Sequence, residues 1–186
     1  FPSDTWDNGK SVFRADIMQN LKEYAPDFIR FPGGCIVHGV NEATMYHWKK
    51  TIGPIENRPG QWSKWAPYYR TDGIGYHEFY ELCEYLGADA MYVIPTGMIC
   101  TGWVKQSSPW NFIQPDVDLD AYIQDALDAI EYAIGPETSK WGALRVKNGH
   151  PKPFPLKYIE IGNEDFGPVY WERYEKIYQA LHRQYP

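Results

Sequence analysis

The sequence predicts an α/β fold, a contiguous piece of a (β/α)8 barrel. Three observations point there. Helix-like and strand-like segments alternate in the order α-β-α-β-α-β-α, which implies parallel strands joined by right-handed crossovers. All three strand candidates feed long, polar, aromatic-rich loops, the asymmetry of a barrel whose functional face lies at the strand C-termini. A whole barrel takes about 250 residues, whereas this chain has 186 and shows only three strands. No internal repeat, low-complexity tract or second domain is visible, so residues 1–186 are expected to be one partial domain.

The first helix is expected over residues 10–24, where Phe13, Ile17, Leu21 and Tyr24 recur at helical spacing before Pro26 stops it. Residues 27–31, DFIRF, form a short strand running into Pro32-Gly33-Gly34. A loop rich in Gly, Pro and Trp fills 32–71. Asp72 is the expected N-cap of a helix over 74–86, with Phe79, Leu82 and Leu86 on one face and Gly87 as its stop. Residues 90–95, AMYVIP, form the next strand, followed by an irregular stretch over 96–117. Leu119, Ile123, Leu127 and Ile130 line a helix over 118–134 that ends at Gly135. A polar loop leads to the strand YIEIG, and a last helix covers 169–184.

Composition excludes several functions. The formal net charge is −6 and no basic stripe exists, which argues against nucleic acid, because phosphate binding needs clustered Lys and Arg. No apolar run reaches the roughly 18 residues a membrane span requires. Residues 1–10 lack a basic start and an apolar stretch, so no signal peptide is visible. A start at Phe1 implies a processed, trimmed or partial chain, and the compartment stays open. The three cysteines, Cys35, Cys83 and Cys100, form an odd, sparse set with no CxxC, and no disulfide framework is expected. Cys35 and His38 lack a second ligand pair, so no metal is expected. There is no phosphate loop, dinucleotide fingerprint or nucleophile elbow, and no cofactor is expected. His38, His47, His77, His150 and His182 show no HExxH-like pairing and read as surface, cap or loop residues.

The candidate chemistry sits where YIEIGNE ends, at Glu164. Alternation puts Tyr158, Glu160, Gly162 and Glu164 on one side of the strand and Ile159 and Ile161 on the other. Glu160 then faces the barrel interior and Glu164 its mouth, roughly 13 Å apart. Retaining glycosidases set their two carboxyls about 5–5.5 Å apart and inverting ones about 6.5–9.5 Å, so Glu160 is too deep to partner Glu164. The bland alternative for Glu164 is an exposed loop acid or helix cap. Asp165 reads as a surface or capping group. In the first strand, Phe28 and Arg30 share one side, Ile29 and Phe31 the other. An inward Arg30 needs a carboxylate, either in a structural pair with Glu160 or to orient a catalytic group. Gly33 and Gly34 permit close backbone approach to a ligand. His47, Trp48, Trp62, Trp65, Tyr68 and Tyr69 offer stacking surface, or ordinary loop packing.

Together the strings FIRFPGGCIVHG, YHWKKTIGPIENRPG, TDGIGYHEFYELCEYLGA and WGALRVKNGHPKPFPLKYIEIGNED resemble glycoside hydrolase family 51, mainly α-L-arabinofuranosidases, over nearly all of residues 10–186. The resemblance implies a retaining mechanism on a (β/α)8 barrel, of which this chain carries about strands 2–4 with their helices. It makes Glu164 the acid/base and Asn163 a partner of the sugar 2-hydroxyl. Arg30 is implied to hold the nucleophile, Cys35 to line the sugar subsite where many members carry Asn, and Trp48 with the TIGP stretch to wall the site. Trp62 or Trp65 loosely matches a further wall residue. The nucleophile, a Glu after strand 7, lies outside the chain, so these residues alone are expected to be inactive. The implied ligand is an arabinose-containing oligo- or polysaccharide, with no membrane partner and the full-length oligomer left open. An endo-β-glycanase of a related barrel family and a non-catalytic carbohydrate-binding fragment are the alternatives.

Overall fold

The computed structural model describes residues 4–5, 11–63, 68–100, 112–113 (backbone) and 116–186. The elements run α1 Ala15–Tyr24, β1 Phe28–Phe31, β2 Gln61–Trp62, β3 Tyr69–Arg70, α2 Tyr76–Leu86, β4 Asp89–Ile94, β5 Ile99–Cys100, β6 Phe112–Ile113, α3 Leu119–Ile134, α4 Lys140–Lys147, β7 Leu156–Ile161 and α5 Pro168–Gln184. The main sheet has the order β1-β4-β7, all parallel, with Phe28 opposite Asp89 and Tyr92 opposite Ile159. Two-stranded antiparallel ribbons, β2–β3 and β5–β6, decorate the connections that leave β1 and β4.

Strand alternation decides what each face does. Ile29, Phe31, Ala90, Tyr92, Ile94, Ile159 and Ile161 join the core with residues from α2, α3 and α5. On the opposite face Phe28 and Tyr158 stay exposed at 51% and 42%, and Arg30 and Glu160 meet there. The helices thus cover one face of the sheet, as the period-2 pattern predicts.

Helix boundaries follow their local chemistry. Gly87 closes α2 in the left-handed region, its N–H returning to the carbonyls of Cys83 and Glu84. The α2 start differs from expectation. Gly75, not Asp72, is the N-cap, and the Glu78 carboxylate accepts its N–H at 2.8 Å. Asp72 instead pairs with Arg70 at 2.8 Å. In α1 the buried residue is Met18, while Ile17 and Tyr24 are exposed. Asp118 caps α3 through the Ala121 N–H.

Helix α4 falls where a polar loop is expected. Ser139 caps it by accepting from the Gly142 N–H, and its anchor is Arg145, 1% exposed. The Arg145 guanidinium donates to the carbonyls of Tyr132, Gly135, His150 and Pro151. It satisfies the C-terminal end of α3 and the loop before β7 at once. Burial pulls its pKa below the ordinary arginine value.

Candidate active site

Because β1, β4 and β7 are parallel, their C-terminal ends open on one edge, and the candidate residues converge there. Arg30 lies near the end of β1, Thr96 two residues past β4, and Asn163, Glu164 and Asp165 just past β7. Arg30 grips Glu160 with Nε to Oε2 and Nη2 to Oε1, both 2.5 Å. This bidentate fork raises the arginine pKa, with a further contribution from the Glu164 charge.

Arg30 Nη2 also donates to Asn163 Oδ1 at 2.8 Å, and the Gly34 N–H donates to the same oxygen at 2.9 Å. Two donors on one atom fix which way the amide points. The Asn163 Nδ2 must then face the other way, toward Glu164 Oε2, 3.4 Å away. The Arg30 guanidinium lies against Gly33, where any Cβ would collide with it. That contact explains the first glycine of the PGG turn.

Glu164 is exposed and has φ of 56°. A left-handed non-glycine residue costs of order 1–3 kcal/mol and persists only where its neighbours impose it. The neighbours here do so. Gly162 has φ of 85° and passes directly under the Asp165 carboxylate, leaving no room for a side chain. Asn163 is 4% exposed and tethered as above. Asp165 was expected at the surface, but its side chain is 1% exposed. Its Oδ2 accepts from the Thr96 hydroxyl at 2.6 Å, and its Oδ1 lies 2.9 Å from His38 Nε2. Thr96, His38 and Asp165 escape the sequence reading. A histidine between the apolar Ile36–Val37 and Gly39 is a weak sign of burial, and nothing in the sequence links it to a residue over 120 positions away.

Two expected contacts fall elsewhere. Trp48 is 1% exposed inside the core. Its ring packs on Tyr76, Tyr132 and Trp141 with centroids 5.0–5.7 Å away, and its N–H points at Asp125. No indole face is open to a sugar, because the turn carrying Trp48 folds back over α3. Cys35 is bonded to Cys100, with Cα atoms 5.7 Å apart across 65 residues. The odd, sparse set of cysteines does not suggest a disulfide, and the presence of this one leaves Cys35 no thiol to offer a ligand. The two come together because the turn after β1 packs against the segment after β4. Cys83 remains free and buried.

Among the loop aromatics, Trp62 is 61% exposed and meets Tyr69 edge to face, whereas Trp65 lies outside the described residues. His38 and His77 are buried rather than at the surface, the latter bonded to the Tyr132 hydroxyl. Among the described residues no cluster of His, Cys, Asp or Glu could hold a metal, and no helix is long and apolar enough to cross a membrane.

A parallel sheet whose strand ends gather a carboxyl, an oriented amide and an arginine–carboxylate fork makes this an α/β protein with its candidate site at the C-terminal edge of the sheet. The α-L-arabinofuranosidase 1 domain family matches residues 20–186. The chain therefore belongs to the α-L-arabinofuranosidase family, glycoside hydrolase family 51. It is 40% identical over 175 residues to α-L-arabinofuranosidase 1 of Arabidopsis thaliana, covering 94% of this chain and 24% of that protein. It is 35% identical to an extracellular exo-α-L-arabinofuranosidase of Streptomyces chartreusis, covering 100% and 23%. An arabinose-bound family 51 α-L-arabinofuranosidase superposes with a TM-score of 0.79 at 34% identity, over 98% of this chain and 28% of that one. An arabinose complex of the Thermotoga maritima enzyme gives 0.61 at 30% identity, over 84% and 27%. The chain thus spans about a quarter of the length of these relatives.

Proposed function

We propose that this chain supplies the acid/base half of a retaining α-L-arabinofuranosidase, with Glu164 as the proton donor and acceptor. The observation that carries the reading is the Asn163–Glu164 pair. An amide with its orientation fixed by Arg30 and Gly34 stands beside an exposed carboxyl at the C-terminal end of a parallel strand. In the double displacement, a second carboxylate attacks the anomeric carbon while Glu164 protonates the departing oxygen. Glu164 then takes a proton from water as water attacks the covalent intermediate. Asn163 Nδ2 donates to the sugar 2-hydroxyl, and Arg30 stiffens the floor beneath it. Trp48 lies in the core and makes no sugar contact.

The second carboxylate is placed on a part of the barrel beyond this chain, which carries about strands 2–4. The bare sheet face supports that placement. Phe28, Arg30, Tyr158 and Glu160 line the side opposite the helices, and exposed aromatic residues there are what further strands of a barrel would cover. The substrate is a terminal arabinofuranosyl group on an oligo- or polysaccharide.

The test is Glu164→Gln in the full-length enzyme. The variant should lose about 10²–10⁴-fold in kcat/KM on arabino-oligosaccharides, the usual worth of general acid catalysis. Aryl arabinofuranosides with good leaving groups should keep most of their kcat/KM, since they need little protonation. Equal activity on both substrates, or hydrolysis of β-glucan in place of arabinofuranosides, would overturn the reading.

A further inference from the structure

We infer that His38 and Asp165 are positioning residues that set the geometry of the Asn163–Glu164 pair, an inference that rests on the acid/base reading of Glu164. One imidazole nitrogen faces both the Asn163 backbone and the Asp165 side chain. His38 Nε2 lies 3.2 Å from the Asn163 amide nitrogen, 3.3 Å from the Asn163 carbonyl oxygen and 2.9 Å from Asp165 Oδ1. Both side chains are almost wholly excluded from solvent, at 0% and 1%. On its other oxygen Asp165 receives the Thr96 hydroxyl from the segment after β4, at 2.6 Å. The Thr96 carbonyl in turn accepts from Arg173 of α5 at 3.2 Å.

The consequence is a clamp around a strained residue. Glu164 holds φ of 56°, a conformation that relaxes unless its flanks are fixed. Asn163 is fixed by its side chain to β1 and by its backbone to His38. Asp165 is fixed to the end of β4 through Thr96 and packs its other oxygen against His38 on the turn after β1. A hinge at Glu164 would need one of these to let go. Apolar packing could bury the same volume without the cost of desolvating a carboxylate. Polar side chains placed here instead fix one arrangement by directed contacts, the Asn163 N–H to His38 and the Thr96 hydroxyl to Asp165, the way supporting residues orient catalytic ones. Proton transfer needs the carboxyl within about 2.6–3.2 Å of the leaving oxygen, and a misplacement of about 1 Å costs on the order of 100-fold. The clamp therefore acts on the protonation step and leaves sugar binding largely to Asn163.

The experiment compares Asp165→Asn, His38→Gln and Thr96→Val with Glu164→Gln in the full-length enzyme. Each is assayed on an arabino-oligosaccharide and on an activated aryl arabinofuranoside, and its unfolding temperature is recorded. The clamp predicts that Asp165→Asn and His38→Gln lower kcat/KM on the oligosaccharide by about 10–100-fold. The aryl substrate should lose less than about threefold in kcat/KM, because activated leaving groups bypass proton donation, while its kcat and KM fall together as the slowed base step lets the covalent intermediate accumulate. Thr96→Val removes one hydroxyl with little change of shape. It should show the same selectivity at smaller amplitude, and it decides the matter if the other two fail to fold. Equal losses on both substrates, or no loss, would overturn the inference while leaving Glu164 as acid/base. If Glu164→Gln itself showed no dependence on the leaving group, the underlying reading would fall first.

Discussion

Replacing Arg58 with methionine should destabilise the domain by about 3–5 kcal/mol, the usual consequence of stranding one member of a buried ion pair. The side chains of Arg58 and Glu78 are only 2% and 8% exposed. Arg58 donates to Glu78 Oε2 at 2.8 Å and Oε1 at 2.6 Å, to the Asp72 carbonyl at 2.8 Å, and to the Gly53 carbonyl at 2.7 Å. It thereby ties the Thr51–Pro54 turn and the residues before α2 to the first turn of that helix. Without it, Glu78 keeps only the Gly75 N–H, and two carbonyls lose their donors. At about 2–4 °C per kcal/mol for a domain of about 150–250 residues, Tm should fall by about 6–20 °C. Thermal unfolding of the full-length enzyme, followed by circular dichroism, measures this. Arg58→Met combined with Glu78→Leu should recover part of the loss, because no charge is then stranded. The recovery stays partial, since the N-terminal cap of α2 goes with Glu78. A fall below about 2 °C for the single variant would refute the reasoning.

Two further predictions concern corrected expectations. Trp48→Ala should cost about 3–5 kcal/mol as a core truncation and leave KM for arabinofuranosides within about twofold of the parent, read from paired unfolding and kinetic measurements. Proteolysis without reductant, followed by mass spectrometry, should yield a Cys35–Cys100 linked peptide. Cys83, whose thiol is pushed up to about 12 mainly by burial, should resist alkylation near pH 8 until the protein is unfolded.

The legible parts of this structure are those governed by period and by steric stops. Phe28 and Arg30 against Ile29 and Phe31, or Glu160 against Ile159 and Ile161, give the sheet faces directly. Gly87 and Pro26 mark helix ends because backbone sterics leave few options. What stayed hidden depends on contacts distant in sequence. Helix α4 has Gly142 near its start and an arginine as its buried anchor, so no apolar stripe announces it. Asp72 has the right side chain for a cap, but Arg70 claims it. Trp48 has the composition of a sugar platform, and only the packing of its turn onto α3 puts it inside. Asp165 has the sequence setting of a surface acid, and only His38 and Thr96, both far away in the chain, bury it. The Arg30–Glu160 pairing was open to the sequence as one of two alternatives, because an inward arginine demands a carboxylate.

The most direct test of Glu164 as acid/base is azide rescue of Glu164→Ala in the full-length enzyme with an activated aryl arabinofuranoside. Removing the base stalls the covalent intermediate, and azide, which needs no proton removed, attacks it in place of water. The account predicts faster turnover with azide and an arabinofuranosyl azide of the same anomeric configuration as the substrate. An azide product of inverted configuration, or no rescue at all, would contradict it.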